Sequence, residues 1–149
     1  MELYPDFKEL LALFNAHGVE YVIVGGYALA FHGAPRFTGD LDILVRTEPG
    51  NARRVVEALA DFGFASLGFA PDDFTKPECV IQLGVPPIRV DLITSLTGVT
   101  WEEAWAGRVR GAYGDMPVQY LGREQFLANK RAIGRKKDLA DVEALGEET

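Results

Sequence analysis

The sequence predicts an α+β fold, a mixed β-sheet flanked by helices and closed by a long C-terminal helix. Three observations lead there. Short apolar runs of strand length are interspersed with segments whose apolar residues recur at helical spacing. The order of these segments has no regular βαβ repeat, which disfavours a purely parallel sheet. A final helical periodicity then extends over residues 123–145.

The elements follow in chain order. Residues 3–17 carry Leu3, Phe7, Leu10, Leu11 and Phe14 as a helical stripe, and Gly18 suits its stop. Tyr21-Val22-Ile23-Val24 reads as a buried strand bounded by Gly25-Gly26, and residues 27–32 form a short helix that Gly33, Ala34 and Pro35 end. Leu41-Asp42-Ile43-Leu44-Val45-Arg46 is a second strand. Pro49 and Gly50 precede a helix over about residues 51–62, with Val55, Val56, Leu59 and Phe62 on its apolar face. Residues 64–74, rich in Gly, Ala, Asp and Pro, read as partly loop. Val80-Ile81-Gln82-Leu83 and Ile88-Arg89-Val90-Asp91-Leu92-Ile93 are two strands joined around residues 84–87. Thr100 is placed to cap a brief helix ending near Trp105, with Glu103 at the capping-box position. Residues 116–121 make a late strand. In the closing helix Phe126, Leu127, Ile133, Leu139, Val142 and Leu145 are available for the core.

Bulk properties bound the function. A chain of 149 residues suits one domain with a proper core, which we expect over residues 1–149, and 48% hydrophobic against 25% charged residues is a globular balance. No apolar run approaches the roughly 18–20 residues of a membrane span, and the N-terminus has no basic region followed by an apolar stretch, so no secretory signal is expected. Cys79 is the only cysteine, which excludes an internal disulfide and suits a reducing cytoplasm. The net charge of -7 disfavours a broad electrostatic grip on nucleic acid. Any such contact would fall to the local basic cluster of Lys130-Arg131 and Arg135-Lys136-Lys137.

Chemistry appears at Asp40-Leu41-Asp42. Residues two apart on a strand share a face, so Asp40 and Asp42 project together while Leu41, Ile43 and Val45 fill the other side. Carboxylates held that close repel unless protons or a cation sit between them. Magnesium takes oxygen ligands and keeps positions open for water and phosphate. On the later strand Arg89 and Asp91 share one face, and if the two strands are neighbours Asp91 joins the pair. Three carboxylates can hold two ions that stabilise an in-line displacement, with Asp91 also placed as a general base. Ahead of the acids, Gly25-Gly26 follows an apolar strand and opens a helix, an arrangement that lets a phosphate approach the backbone closely. Each piece alone has a plainer reading: Asp-x-Asp pairs often cap turns, and Gly-Gly is a common tight turn.

The ordered combination is more specific. Gly25-Gly26-Tyr27-Ala28-Leu29, then Arg36-Phe37-Thr38-Gly39-Asp40-Leu41-Asp42-Ile43, then Arg89-Val90-Asp91-Leu92 resembles the DNA polymerase β-like nucleotidyltransferase superfamily over about residues 20–95. The small bacterial subgroup that includes AbiEii-type toxins and minimal nucleotidyltransferases is the most similar, because a basic residue there precedes an Arg/Lys-Asp-x-x-Asp run. Here that run is Lys137-Asp138-Leu139-Ala140-Asp141, preceded by Lys130, within a C-terminal helical part of about residues 122–146. The resemblance implies that Gly25 and Gly26 cradle a nucleoside triphosphate, and that Asp40, Asp42 and Asp91 bind Mg2+, with Mn2+ as the alternative. It implies nucleotide contacts from Arg36 and Thr38, and phosphate neutralisation by Lys130 and Lys137. Lys130, Gly134, Lys137 and Asp141 share one helical face at spacings of four, three and four. Tyr27 is a candidate to stack on the base. His32 reads as a helix-end hydrogen-bonder, Trp101 and Trp105 as core, and Cys79 as a buried small hydrophobe.

The expected activity is metal-dependent transfer of a nucleoside monophosphate to a hydroxyl on tRNA, a protein or a small molecule. A toxin–antitoxin or stress-response role, with a cognate antitoxin or toxin as partner, and a homodimer are further expectations, and no membrane partner is expected. The alternatives are a catalytically silent nucleotide-binding member of the same fold and an acidic protein-interaction module.

Overall fold

The computed structural model describes residues 3–35, 38–85 and 88–149. Six helices and six strands follow one another as α1 (Pro5–Ala16), β1 (Tyr21–Val24), α2 (Gly25–Phe31), β2 (Asp40–Val45), α3 (Pro49–Leu59), β3 (Val80–Val85), β4 (Ile88–Ile93), α4 (Trp101–Ala106), β5 (Val109–Tyr113), β6 (Met116–Tyr120), α5 (Arg123–Ile133) and α6 (Lys136–Ala144). The strands form one mixed sheet in the order β3-β4-β2-β1-β6-β5. β1 is antiparallel to β2 and parallel to β6, β2 is parallel to β4, and hairpins close both edges as β3-β4 and β5-β6. The predicted α+β class with a mixed sheet is the observed one.

The core follows the sequence pattern. Phe7, Leu10, Leu11 and Phe14 of α1 are buried with Tyr21 and Ile23 of β1, Leu41 and Ile43 of β2, Leu92 of β4 and Val55, Ala58 and Leu59 of α3. A polar staple fixes the end of the sheet remote from the acids. Fully buried Asn51 accepts from Glu20 N at 2.7 Å and donates to Glu20 O at 3.0 Å and Arg46 O at 2.9 Å. One amide thus satisfies three backbone groups and anchors the start of α3 across β1 and β2. At α4 the predicted capping box is present: Thr100 Oγ1 accepts from Glu103 N, and Glu103 accepts from Thr100 N.

Four details differ from expectation. Helix α1 begins at Pro5, leaving Leu3 exposed rather than on the buried stripe. Helix α3 ends at Leu59, and residues 60–74 wind through short helical turns, one of them opened by Gly63 at φ 113°. Strand β5 was not anticipated, because Val109, Arg110 and Ala112 lie exposed on a sheet edge and carry no alternating pattern. The long C-terminal helical segment is present but jointed: Gly134 takes the left-handed conformation at φ 72°, ending α5 before α6 begins. Among the described residues no helix is long and apolar enough to cross a membrane.

Candidate active site

Two strands that are distant in sequence build the acidic face. β2 and β4 run side by side with Asp40 opposite Arg89 and Asp42 opposite Asp91, while Leu41 opposes Val90 on the other face. Laterally paired residues share a side of the sheet, so Asp40, Asp42, Asp91 and Arg89 stand together above it. Arg89 spans two of the acids. Its Nη2 donates to Asp40 Oδ2 at 3.1 Å and to Asp91 Oδ2 at 3.4 Å, and its Nε donates to Asp91 Oδ1 at 3.1 Å. Among the described residues Asp42 has no such guanidinium bonded to it. Burial, followed by the negative charges of Asp91 and Asp40 and a hydrogen bond with Asp91, pushes its carboxyl up to about 7, and Lys130 offsets this only in part.

The glycine turn lies against the same carboxylate. Val24 pairs with Asp42, so the chain turns into α2 directly beside it. Gly25 sits at φ 66°, and a Cβ there would collide with the Asp42 carboxylate. A Cβ on Gly26 would come within 3.1 Å of the Thr38 methyl. Thr38 in turn accepts from Asp40 N at 3.2 Å and donates to Asp40 O at 3.3 Å, which sets the entry into β2. Turn and acid strand therefore pack with no room for side chains between them.

The opposite wall comes from the C-terminal helices. Asp138 is fully buried and gathers two cations: Lys130 Nζ at 3.4 Å, and Arg135 through Nε at 2.6 Å and Nη2 at 3.2 Å. It also accepts from Arg135 N at 3.2 Å, capping α6. Lys130 reaches Asp141 as well, at 3.3 Å. The Arg135 hydrogen bond first, then the Lys130 charge, hold the Asp138 carboxyl below the usual range despite burial. Between the walls is a cavity of about 270 Å³, lined by Gly25, Gly26, Thr38, Asp40 and Asp42 on one side and by Lys130, Arg135, Lys137, Asp138 and Asp141 on the other. A larger hollow of about 510 Å³ lies beside Leu3, Tyr4 and Tyr113, and among the described residues its charged groups, Lys8 and Asp115, pair with each other. The smaller cavity is the one lined mainly by polar and charged groups.

The residues singled out from sequence therefore divide. Asp40, Asp42 and Asp91 share one face, and Gly25, Gly26, Thr38, Lys130 and Lys137 line the cavity beside them. Tyr27 does not reach it. Its ring is buried among Phe7 and Tyr113, at centroid distances of 6.0 and 5.7 Å, so stacking on a base is overturned by core packing. Arg36 lies outside the described residues. The joint at Gly134 also replaces the single helical face drawn through Lys130, Gly134, Lys137 and Asp141: Lys130 meets Asp138 and Asp141 across the bend. Cys79 is half-buried rather than enclosed. Trp101 and Trp105 stack on each other at 5.3 Å, half-buried against the core, with Arg108 over Trp105 at 3.6 Å. His32 closes α2 and bonds to Leu121 O at 2.7 Å.

Arg89, Arg135, Asp138 and Asp141 carry much of the local charge, and no individual role was read for them from sequence. The signals existed. Arg89 precedes Asp91 by two on a strand, and Arg135 precedes Asp138 by three just after a glycine, an N-cap spacing.

The sequence matches no protein-family model and no curated protein. Solved structures do match. The chain is similar to the lincosamide antibiotic adenylyltransferase LnuA, solved with lincomycin bound, at 14% identity over 100% of both chains with a TM-score of 0.57. It is similar to a proposed nucleotidyltransferase of Thermotoga maritima at 15% identity, covering 97% of this chain and 93% of that one, TM-score 0.56. An antigenic nucleotidyltransferase-like protein of Paracoccidioides brasiliensis is 18% identical over 96% of this chain and 75% of its own, TM-score 0.51. At these identities the likeness is one of architecture, and the chain has a nucleotidyltransferase-like fold.

Proposed function

We propose that this chain is a metal-dependent nucleotidyltransferase, which moves a nucleoside monophosphate from a triphosphate to a hydroxyl acceptor and releases pyrophosphate. The observation that carries the reading is the β2–β4 register, which sets Asp42 beside Asp91 on the face that the glycine turn borders. The donor set fits a hard divalent cation. All its members are carboxylate oxygens, and Asp42 retains a proton to about 7 because it is buried and two neighbouring acids crowd it. Among the described residues no three acids stand as a ready cage, and Arg89 is bonded to Asp40 and Asp91. Asp40, Asp42 and Asp91 would hold Mg2+ or Mn2+, which when bound supplies charge neutralisation at the reacting phosphates.

The chain's own residues supply the rest. Gly25 and Gly26 leave the triphosphate free to lie against the backbone. Lys130, Arg135 and Lys137 offset its charge from across the cavity, with Asp138 holding the first two in place. Asp91 accepts the proton of the acceptor hydroxyl as that oxygen attacks the α-phosphorus and the bond to the pyrophosphate oxygen breaks. LnuA is an adenylyltransferase whose chain matches this one end to end, which supports ATP as donor and a small-molecule hydroxyl as acceptor ahead of an RNA end or a protein. A cytoplasmic location, suggested by the single cysteine, a homodimer, and a place in a toxin–antitoxin pair, suggested by the sequence resemblance, belong to the same proposal.

One observation favours a second reading, a silent nucleotide-binding protein: the guanidinium of Arg89 is already paired with both Asp40 and Asp91. Incubation with each α-labelled triphosphate, Mg2+ and panels of RNA, protein and hydroxylated small molecules separates the two. Label transferred to one acceptor, and lost with EDTA or Asp42→Ala, is the expected result. Triphosphate binding with no label transferred in any panel establishes the silent reading. No triphosphate binding in the wild type points to an acidic docking module, and binding that survives alanine at both Asp40 and Asp42 removes this cavity as the nucleotide site.

A further inference from the structure

Arg89 is the charged group most intimately placed among the acids, and the transfer chemistry leaves it without a role. Its side chain is 24% exposed and its partners Asp40 and Asp91 are 39% and 12% exposed, so the Asp91 arm is sheltered from the screening that weakens surface pairs while the Asp40 arm is open to it. The register holds Arg89 directly across from Asp40, and the two-residue step along β4 keeps it beside Asp91. It engages one oxygen of Asp40 and both oxygens of Asp91. A divalent cation draws on the same lone pairs, at roughly 2.1 Å for magnesium. Guanidinium donors and a metal ion cannot both face one carboxylate oxygen along one direction, because two positive centres would then be forced together.

We propose that Arg89 is the resident counter-ion of this cluster, a positioning residue that holds Asp40 and Asp91 together until a divalent cation arrives and releases Asp40 when it does. The inference rests on the nucleotidyl-transfer reading of the same site. Exchange of one cation for another keeps the acid face from ever carrying its full charge uncompensated. It also weakens the affinity for the free ion, because charge-assisted hydrogen bonds must break before coordination. The ion then binds well only when phosphate oxygens add ligands of their own.

The test reads Mn2+ affinity rather than turnover. Isothermal titration with Mn2+ alone, without nucleotide, is compared for wild type, Arg89→Lys and Arg89→Met. Lysine keeps the charge but cannot fork across two carboxylates, so it isolates displacement from simple electrostatic repulsion. The expected result is a Kd about tenfold lower for Arg89→Lys, the worth of one charge-assisted hydrogen bond, and lower again for Arg89→Met. In wild-type protein labelled with 15N-arginine, the Arg89 Nε–H resonance, identified by its loss in Arg89→Lys, should move as Mg2+ is added. Should the variants not fold, the resonance is assigned instead by through-bond correlation to the Arg89 backbone, and this wild-type titration decides. A Kd for Arg89→Lys within twofold of wild type, or an Arg89 resonance that Mg2+ leaves in place, overturns the proposal while leaving the transfer reading intact. Absence of Mn2+ binding in all three proteins overturns the proposal, and its absence with a non-hydrolysable triphosphate also present overturns the transfer reading as well.

Discussion

Asp42 and Asp138 face the same cavity, and their surroundings drive them in opposite directions. The folded chain holds a proton on Asp42 up to a pH of about 7, whereas the unfolded chain has released it above the ordinary carboxylate range. Native protein therefore binds more protons in that window, and metal-free stability falls as pH rises through it. Thermal melts of Asp42→Asn without divalent ions should lack this decline, and at pH 8 the variant should melt at or above the wild-type temperature. A lower melting point at pH 8 would make Asp42 a structural residue. Asp138 has the opposite sign. Its carboxyl is held low by Arg135 and Lys130, so its contribution is complete at neutral pH and disappears as pH drops below the usual carboxylate range. Asp138→Asn should cost about 2 kcal/mol at pH 7 in urea unfolding, and should raise KM for the triphosphate because Lys130 and Arg135 lose their common anchor. A stability loss with KM unchanged would confine Asp138 to the fold.

At the scale of elements, the joint between α5 and α6 decides which charges meet. Gly134 at φ 72° lets the chain bend so that Asp138 turns back onto Lys130, eight residues earlier. Gly134→Ala should lower stability by about 1 kcal/mol, the usual penalty for a side chain in the left-handed region, or roughly 2–4 °C in Tm for a chain of this size. It should also weaken triphosphate binding, which differential scanning fluorimetry and nucleotide titration measure on one sample. The elements legible in the sequence were those that bury a face. β1, β2 and β4 show as apolar runs because helices cover them, and Asp40, Asp42 and Asp91 stand out against that background. β5 was invisible because an exposed edge strand owes its shape to hydrogen bonds with β6 rather than to its own side chains. Tyr27 was misplaced for a related reason. Position on a short helix after a glycine turn does not reveal which side faces inward, and the aromatic cluster with Phe7 and Tyr113 settles that from three distant parts of the chain.

The whole molecule brings its reactive groups together from the two ends of the sequence: acids from the sheet, cations from the C-terminal helices. A triphosphate held between these walls ties them together, so binding should stabilise the protein globally. At a hundred times Kd, ATP with Mg2+ should add about 2.7 kcal/mol, roughly 5–10 °C in Tm. EDTA should abolish most of this shift, and a shift unaffected by EDTA would contradict cation-assisted binding. The parallel seam between β2 and β4 has one more effect. Leucine and valine alternate with the acids along it, so sliding one strand by a single residue would drive carboxylates into the oil and aliphatic groups into water. The same error that would misalign the reacting groups also makes the chain unable to fold, and a population of folded molecules is thereby purged of misassembled catalysts before any substrate arrives.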